Sequence, residues 1–304
     1  MTPPLLHIGY HKTATTWMQR QLFRPVHGYH PLAGHRAISD QLVRPHGLDY
    51  DPGAAAAWFA AQMADCPDGL APVLSSEILS GNPFYSGRES EVYAERLARL
   101  APGARILISI RNQLRALPSL YMQYLLRGGT LPPERFFAGT TEPGYFAFDP
   151  AHFRYDRLVA RYQALFGREN VYLLTQESLL ADMEAAAAGL AAFCGNTAFR
   201  GLAPQARAVH APGYPEHAAP VLRRINHVQS SVINPVPILA LGRSPYGLYR
   251  LAGGLLRRPP LGRLLAGRRP VSDHVRARFG DDFRASNARL AALAAHPIDL
   301  KGYP

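Results

Sequence analysis

Cysteine and lysine are both nearly missing from this 304-residue chain, at two residues each. Cys66 and Cys194 are too few for a disulfide framework, and neither has a neighbour with which to form a metal pair, which fits a reducing, cytoplasmic setting. Long apolar runs are absent as well. The N-terminal MTPPLLHIGYHK is too short in apolar residues for a signal peptide, and Ile225–Gly242 is broken by Asn226, His227, Gln229, Asn234, Pro235 and Pro237, so neither is expected to cross a membrane. Acidic residues are scarce. Against 33 Lys and Arg stand 22 Asp and Glu, a formal charge of +11 that favours an anionic partner such as a nucleotide, nucleic acid, sulfated sugar or lipid headgroup. Lys12 and Lys301 are the two lysines; the remaining basic residues are arginine, which makes each lysine informative.

What the chain does contain is apolar bulk, 47% of its residues, enough for a substantial core. Short apolar runs at Leu5–Gly9, Ala71–Ser75, Arg105–Ile110 and Asn170–Leu174 read as buried parallel strands. Helical patterns fall between and after them, at Thr15–Phe23, Gly53–Met63, Glu89–Leu100, Asn112–Leu126, Pro150–Phe166 and Gln176–Phe193. The alternation predicts an α/β fold, a parallel central sheet flanked by helices, across a single domain of residues 1–304. Residues 26–51, rich in His, Pro and Gly, read as a lid loop. Past Glu216 the alternation stops: residues 217–272 hold no acidic residue and nine arginines. A helical pair near Val271–Phe279 and Phe283–Ala294 closes the chain.

Two segments carry the chemistry. Ile8–Trp17, IGYHKTATTW, follows the first strand and opens a helix, with Gly9 for the turn, then His11, Lys12, Thr13, Ala14, Thr15 and Thr16. Backbone N–H groups at a helix start, with a lysine and hydroxyls beside them, make an anion cradle. It is not a Walker A loop: two residues separate Gly9 from Lys12, and His11 stands where a second glycine would be. The other segment follows the third of these runs, where Arg111 leaves the strand and Ser119 comes eight residues later. An arginine at that end points into the crevice in which open sheets bind ligands.

Together the two segments resemble the 5′-phosphosulfate loop and the 3′-phosphate motif of sulfotransferases that use 3′-phosphoadenosine 5′-phosphosulfate (PAPS). The likeness extends through Tyr155–Leu179 to about Leu202, more loosely to the C-terminus, and departs at Gln176, where many cytosolic relatives carry tyrosine; the adenine contact is left unassigned. The resemblance implies a P-loop-like phosphosulfate-binding loop, PAPS as co-substrate, Gly9, His11, Lys12, Thr13, Ala14, Thr15 and Thr16 around the phosphosulfate, Arg111 and Ser119 on the 3′-phosphate, Lys12 as a catalytic residue, and no metal. Glu77, just past the second run, resembles the glutamate base of carbohydrate sulfotransferases, and Ser75 and Ser76 are auxiliary hydrogen bonders. A metal cluster of His27, His30 and His35 is disfavoured.

The expected activity is therefore sulfuryl transfer to a hydroxyl of a carbohydrate or glycolipid. The expected partners are the nucleotide donor, that acceptor and no nucleic acid. Residues 217–272, which interleave Leu and Tyr with Arg, add an expected peripheral contact with an anionic membrane at its inner face. The alternatives are a kinase with a divergent phosphate loop and a basic nucleic-acid-binding protein.

Overall fold

Every sheet strand is short, three to six residues, and outside the edge strand Tyr29–Pro31 most strand residues are buried, so both faces of the sheet must be covered. The computed structural model describes residues 2–139, 148–208 and 213–304. Two compact units divide the chain: Met1–Asn112 with Asp149–His210 and Phe283–Tyr303, and Gln113–Phe148 with Ala211–Asp282.

The first unit holds the sheet. Strands β1 (Leu5–His7), β2 (Tyr29–Pro31), β3 (Ala71–Ser75), β4 (Arg105–Ile110) and β5 (Val171–Thr175) are all parallel, in the order β2-β3-β1-β4-β5. The chain thus runs from β1 outward to β2, comes back to β3, and crosses to β4 on the other side of β1. Such a reversal opens a crevice at the C-terminal ends of β1 and β4. On one face Leu5, Val73, Leu107 and Leu174 pack with Trp17, Leu22, Phe23 and with Leu190 and Cys194 of the helix Met183–Cys194. Leu6, Leu74, Ile106 and Ile108 are equally buried. The helix Tyr155–Phe166 contacts β4 and β5 and is tied to the last helix, Arg284–Leu293, by Asp156, which accepts hydrogen bonds from Ser286 and from Arg289 Nε at 2.6 Å.

Residues 26–51 are not simply a loop. They supply the edge strand β2 and a helical turn, His35–Ile38, that runs into a π-type stretch, Ser39–Val43. A strand of three residues, only Tyr29 of them buried, leaves no periodicity to read. The helical pattern at Gln176–Phe193 is two helices, Gln176–Ala181 and Met183–Cys194, because Asp182 leaves helical geometry and caps the second by accepting from the Ala185 N–H.

The second unit contains no sheet strand among the described residues. Helices Gln113–Leu126 and Pro270–Phe279 pack together, and an aromatic cluster of Tyr121, Tyr124, Phe136, Phe137, Phe148 and Phe279 fills its interior. Asn226, fully buried, donates to the carbonyls of Leu125 and Gly129, both at 2.8 Å, and accepts from Ser244 at 2.7 Å. Among the described residues no helix is long and apolar enough to cross a membrane.

Candidate active site

The loop after β1 begins as an extension of the sheet, with the Ile8 N–H on the Leu107 carbonyl at 2.7 Å and the Tyr10 N–H on that of Ser109 at 3.0 Å. Gly9 sits between them in a space with no room for a side chain. A Cβ there would stand 2.3 Å from Thr15 Cγ2, 2.7 Å from Ser109 Oγ and 2.9 Å from His7 Nε2. The chain then turns sharply: Lys12 (φ 70°) and Ala14 (φ 67°) are left-handed, a geometry L-residues avoid, with Thr13 outside that region. Alternation of this kind turns successive N–H groups to one side as a concave anion receptor. Ala14, at the cap position of the helix Thr15–Trp17, makes no side-chain hydrogen bond to the first helical N–H groups.

Lys12 and Arg111 meet at the crevice. Arg111 Nη1 donates to the Lys12 carbonyl at 3.4 Å, bringing the segments after β1 and β4 together across 99 positions of sequence. Desolvation and the Arg111 charge lower the Lys12 pKa. An anion bound near both groups would offset this repulsion. The segment carrying Arg111 is braced from within the sheet unit: Tyr155 donates to the Arg111 carbonyl at 2.8 Å, and Glu177 accepts from the Asn112 N–H at 3.2 Å and from the Tyr303 hydroxyl at 2.9 Å. Ser119 is half-buried on the second turn of the helix Gln113–Leu126, in the second unit.

A relay of buried polar groups underlies the loop. Ser75, His7, Ser109 and Thr13 connect at 2.8, 3.0 and 2.7 Å, and Thr13 donates to the Tyr10 carbonyl at 2.6 Å. A carbonyl can only accept, so the direction of every link follows: Thr13 accepts from Ser109, Ser109 from His7 Nε2–H, and His7 Nδ1 from Ser75. Burial lowers the His7 pKa to about 4 despite the opposing pull of Glu77, which keeps the ring neutral as this order requires. The Thr13 hydroxyl is therefore committed inward. Of the three hydroxyls expected as donors to an anion, Thr13 can serve only through its backbone, Thr15 is buried, and Thr16 alone is exposed.

Glu77 opens a 3₁₀ turn directly beyond β3. Burial would raise its pKa, but its own backbone N–H, His11, the Gln19 amide and His35 outweigh this, and the net shift is downward. Gln19 donates to Glu77 Oε2 at 3.2 Å and lies on the π-type stretch Met18–Leu22 that continues the loop's helix, so the carboxylate is joined to the anion loop by one side chain. His11 is near enough to influence both Glu77 and His152. Ser76 bonds His35 Nδ1 at 2.8 Å. His27 bonds the Leu22 carbonyl through Nδ1 and accepts the Ala203 N–H at Nε2, a structural role. No group of three potential metal ligands occurs among the described residues. Beside Gln19 lies a cavity of about 500 Å³ lined by Gln19, Leu32, His35, Gln62, Val73 and Ser75 among others.

His7, Ser109 and Gln19 join the site although the motifs in the sequence do not include them. The first two carry a signal, a polar residue inside a buried apolar strand or its extension; Gln19 carries none.

The architecture is that of an α/β protein with an anion-type loop at the reversal point of a parallel sheet. Among solved structures the chain is similar to a sulfotransferase from Alicyclobacillus acidocaldarius, with 20% identity and a TM-score of 0.50 over 75% of this chain and 90% of that one, which establishes a shared fold. A mouse sulfotransferase, SULT7A1, solved in complex with PAP, aligns at 12% identity and a TM-score of 0.35 over 95% of this chain and 89% of that one. No protein-family model matches the chain, and no curated protein matches it in sequence.

Proposed function

We propose that the protein is a sulfotransferase that moves a sulfuryl group from PAPS to a hydroxyl of a carbohydrate or glycolipid. The observation that supports this most directly is the pairing of Lys12 with Arg111 at the ends of β1 and β4, beside a loop with two left-handed residues. Burial and the neighbouring Arg111 charge both lower the Lys12 pKa, and a phosphosulfate nucleotide would bring negative charge to this donor set. When bound, that nucleotide supplies the sulfuryl group and a stable bisphosphate leaving group.

In this reading the backbone of Gly9, His11, Lys12, Thr13, Ala14, Thr15 and Thr16 surrounds the phosphosulfate, and Arg111 and Ser119 hold the 3′-phosphate. Lys12 stabilises charge on the leaving oxygen, so the chain's own groups serve where a phosphoryl transferase would use a metal. Glu77, ionised at neutral pH because its pKa is lowered, takes the proton from the acceptor hydroxyl as the new oxygen–sulfur bond forms and the phosphate–sulfur link breaks. The cavity beside Gln19 offers amide, imidazole and hydroxyl groups of Gln19, His35, Gln62 and Ser75 among apolar neighbours, a lining suited to a sugar ring. With Cys66 and Cys194 both free, we read the protein as cytoplasmic, its two units as one sulfotransferase domain.

Calorimetric titration tests the reading. Adenosine 3′,5′-bisphosphate should bind without magnesium, and sulfuryl transfer from PAPS to glycan acceptors should follow. Preference for ATP with magnesium would make the protein a kinase, and preference for a short oligonucleotide a nucleic-acid-binding protein.

A further inference from the structure

The helix Leu248–Arg257 has more apolar surface than the protein covers. Its inward side is settled: Tyr249 is fully buried, its ring edge-to-face with Tyr214 at 5.7 Å, and Gly253 lies so close to Tyr214 that a Cβ would stand 2.4 Å from the ring. Leu248, Leu251 and Leu255, spaced by three and four residues, fall on a different stripe. They are 42%, 61% and 54% exposed, so the protein's core does not use them. Arg250 and Arg257 lie between the two faces.

The surrounding chain has the same character. Twelve of the twenty exposed large apolar side chains among the described residues fall between Val232 and Leu264, including Val236 at 86% and Leu264 at 80%. The buried Gln229 amide donates to the carbonyls of Leu241, at 3.2 Å, and Tyr246, at 3.3 Å, fastening the end of the apolar loop to the start of the helix. Seven arginines, Arg243, Arg250, Arg257, Arg258, Arg263, Arg268 and Arg269, are exposed in this region, and residues 217–272 contain no carboxylate.

We infer that this face of the second unit docks on the surface of an anionic lipid bilayer, with the leucine stripe at the acyl boundary and the guanidinium groups among the headgroups. Insertion explains exposed leucines and arginines together. A nucleic acid would satisfy the arginines but not the leucines. A second copy docking through the same patch would set seven arginines against seven with no acid to pair them. The inference goes beyond the proposed reaction and stands or falls separately from it.

Co-sedimentation of the full chain with phosphatidylcholine vesicles, with and without phosphatidylglycerol, is the test. Binding is expected only with phosphatidylglycerol, and rising salt should weaken it. Replacing Arg250, Arg257, Arg258 and Arg263 with glutamine should lower partitioning by up to about a thousandfold. The combined Leu248→Ser, Leu251→Ser and Leu255→Ser variant should lose binding too, while circular dichroism and thermal midpoint show both variants folded. Equal binding to neutral vesicles, no binding to either kind, or undiminished binding by the leucine variant would overturn the inference. So would self-association of the wild type in the ultracentrifuge that the leucine variant abolishes.

Discussion

Arg111 Nη1 donates to the main-chain carbonyl of Lys12 at 3.4 Å, so the guanidinium holds the anion loop while its positive charge helps to lower the lysine pKa. Lys12→Ala should lower turnover about a hundredfold, with bisphosphate affinity falling only modestly, because its charge matters most as the leaving oxygen becomes negative. Arg111→Ala should instead weaken adenosine 3′,5′-bisphosphate by roughly ten- to a hundredfold, and adenosine 5′-phosphate far less. Titration of both nucleotides against both variants separates the roles.

Anion binding between these cations should raise the Lys12 pKa. At alkaline pH, where part of the lysine is neutral, bisphosphate binding should therefore take up protons. Calorimetry in two buffers of different ionisation enthalpy measures the uptake, and Lys12→Ala should abolish it.

Glu77→Gln should leave folding and nucleotide binding intact and reduce transfer by a hundred- to ten-thousandfold, since the amide keeps the shape but accepts no proton. With its pKa lowered, the carboxylate stays ionised through neutral pH, so the acid limb of kcat/KM should fall below the ordinary glutamate value of about 4.3. Single-turnover transfer as a function of pH checks both. Near-normal turnover of the variant would place the base elsewhere.

His7 makes the fold sensitive to acid. Its folded pKa is lowered to about 4, against about 6.5 in the unfolded chain. Between those values the unfolded state holds the extra proton, so stability falls as pH drops through that window, by on the order of 3 kcal/mol in full. His152, lowered to about 3 by burial and by His11, adds to the same trend. Urea midpoints across pH should show the loss. Nitrogen chemical shifts should show His7 neutral and protonated at Nε2 at pH 6.

Gly9→Ala should destabilise the protein by about 1–3 kcal/mol, because the new methyl meets Thr15, Ser109 and His7 together. The loss is read in the thermal midpoint.

Much of this was legible in one dimension. Four strands are buried on both faces, so they appear as continuous apolar runs whatever packs on them, and Ala71–Ser75 and Arg105–Ile110 match their strands residue for residue. Glycine, lysine and threonine directly after a strand announce an anion loop because backbone geometry at a strand-to-helix turn is local. The excess of arginine in residues 217–272 is likewise a matter of counting.

Other features arise only when distant segments meet. Lys12 and Arg111 lie 99 positions apart, and His7 and Ser109 are separated by 102; parallel pairing of β1 with β4 sets each pair side by side. That pairing also turns the Thr13 hydroxyl inward, which no local rule foretells. Gln19, on the π-type stretch after Trp17, reaches Glu77 across 58 positions of sequence. β2 forms through backbone pairing with β3, although Tyr29–Pro31 has almost no pattern of its own. The leucines of Leu248–Arg257 could have packed inward until the contact of Gly253 with Tyr214 assigned another face to the core. Spacing along the chain specifies local geometry, whereas the choice of which face is buried and which polar groups share protons depends on neighbours that only the folded chain supplies.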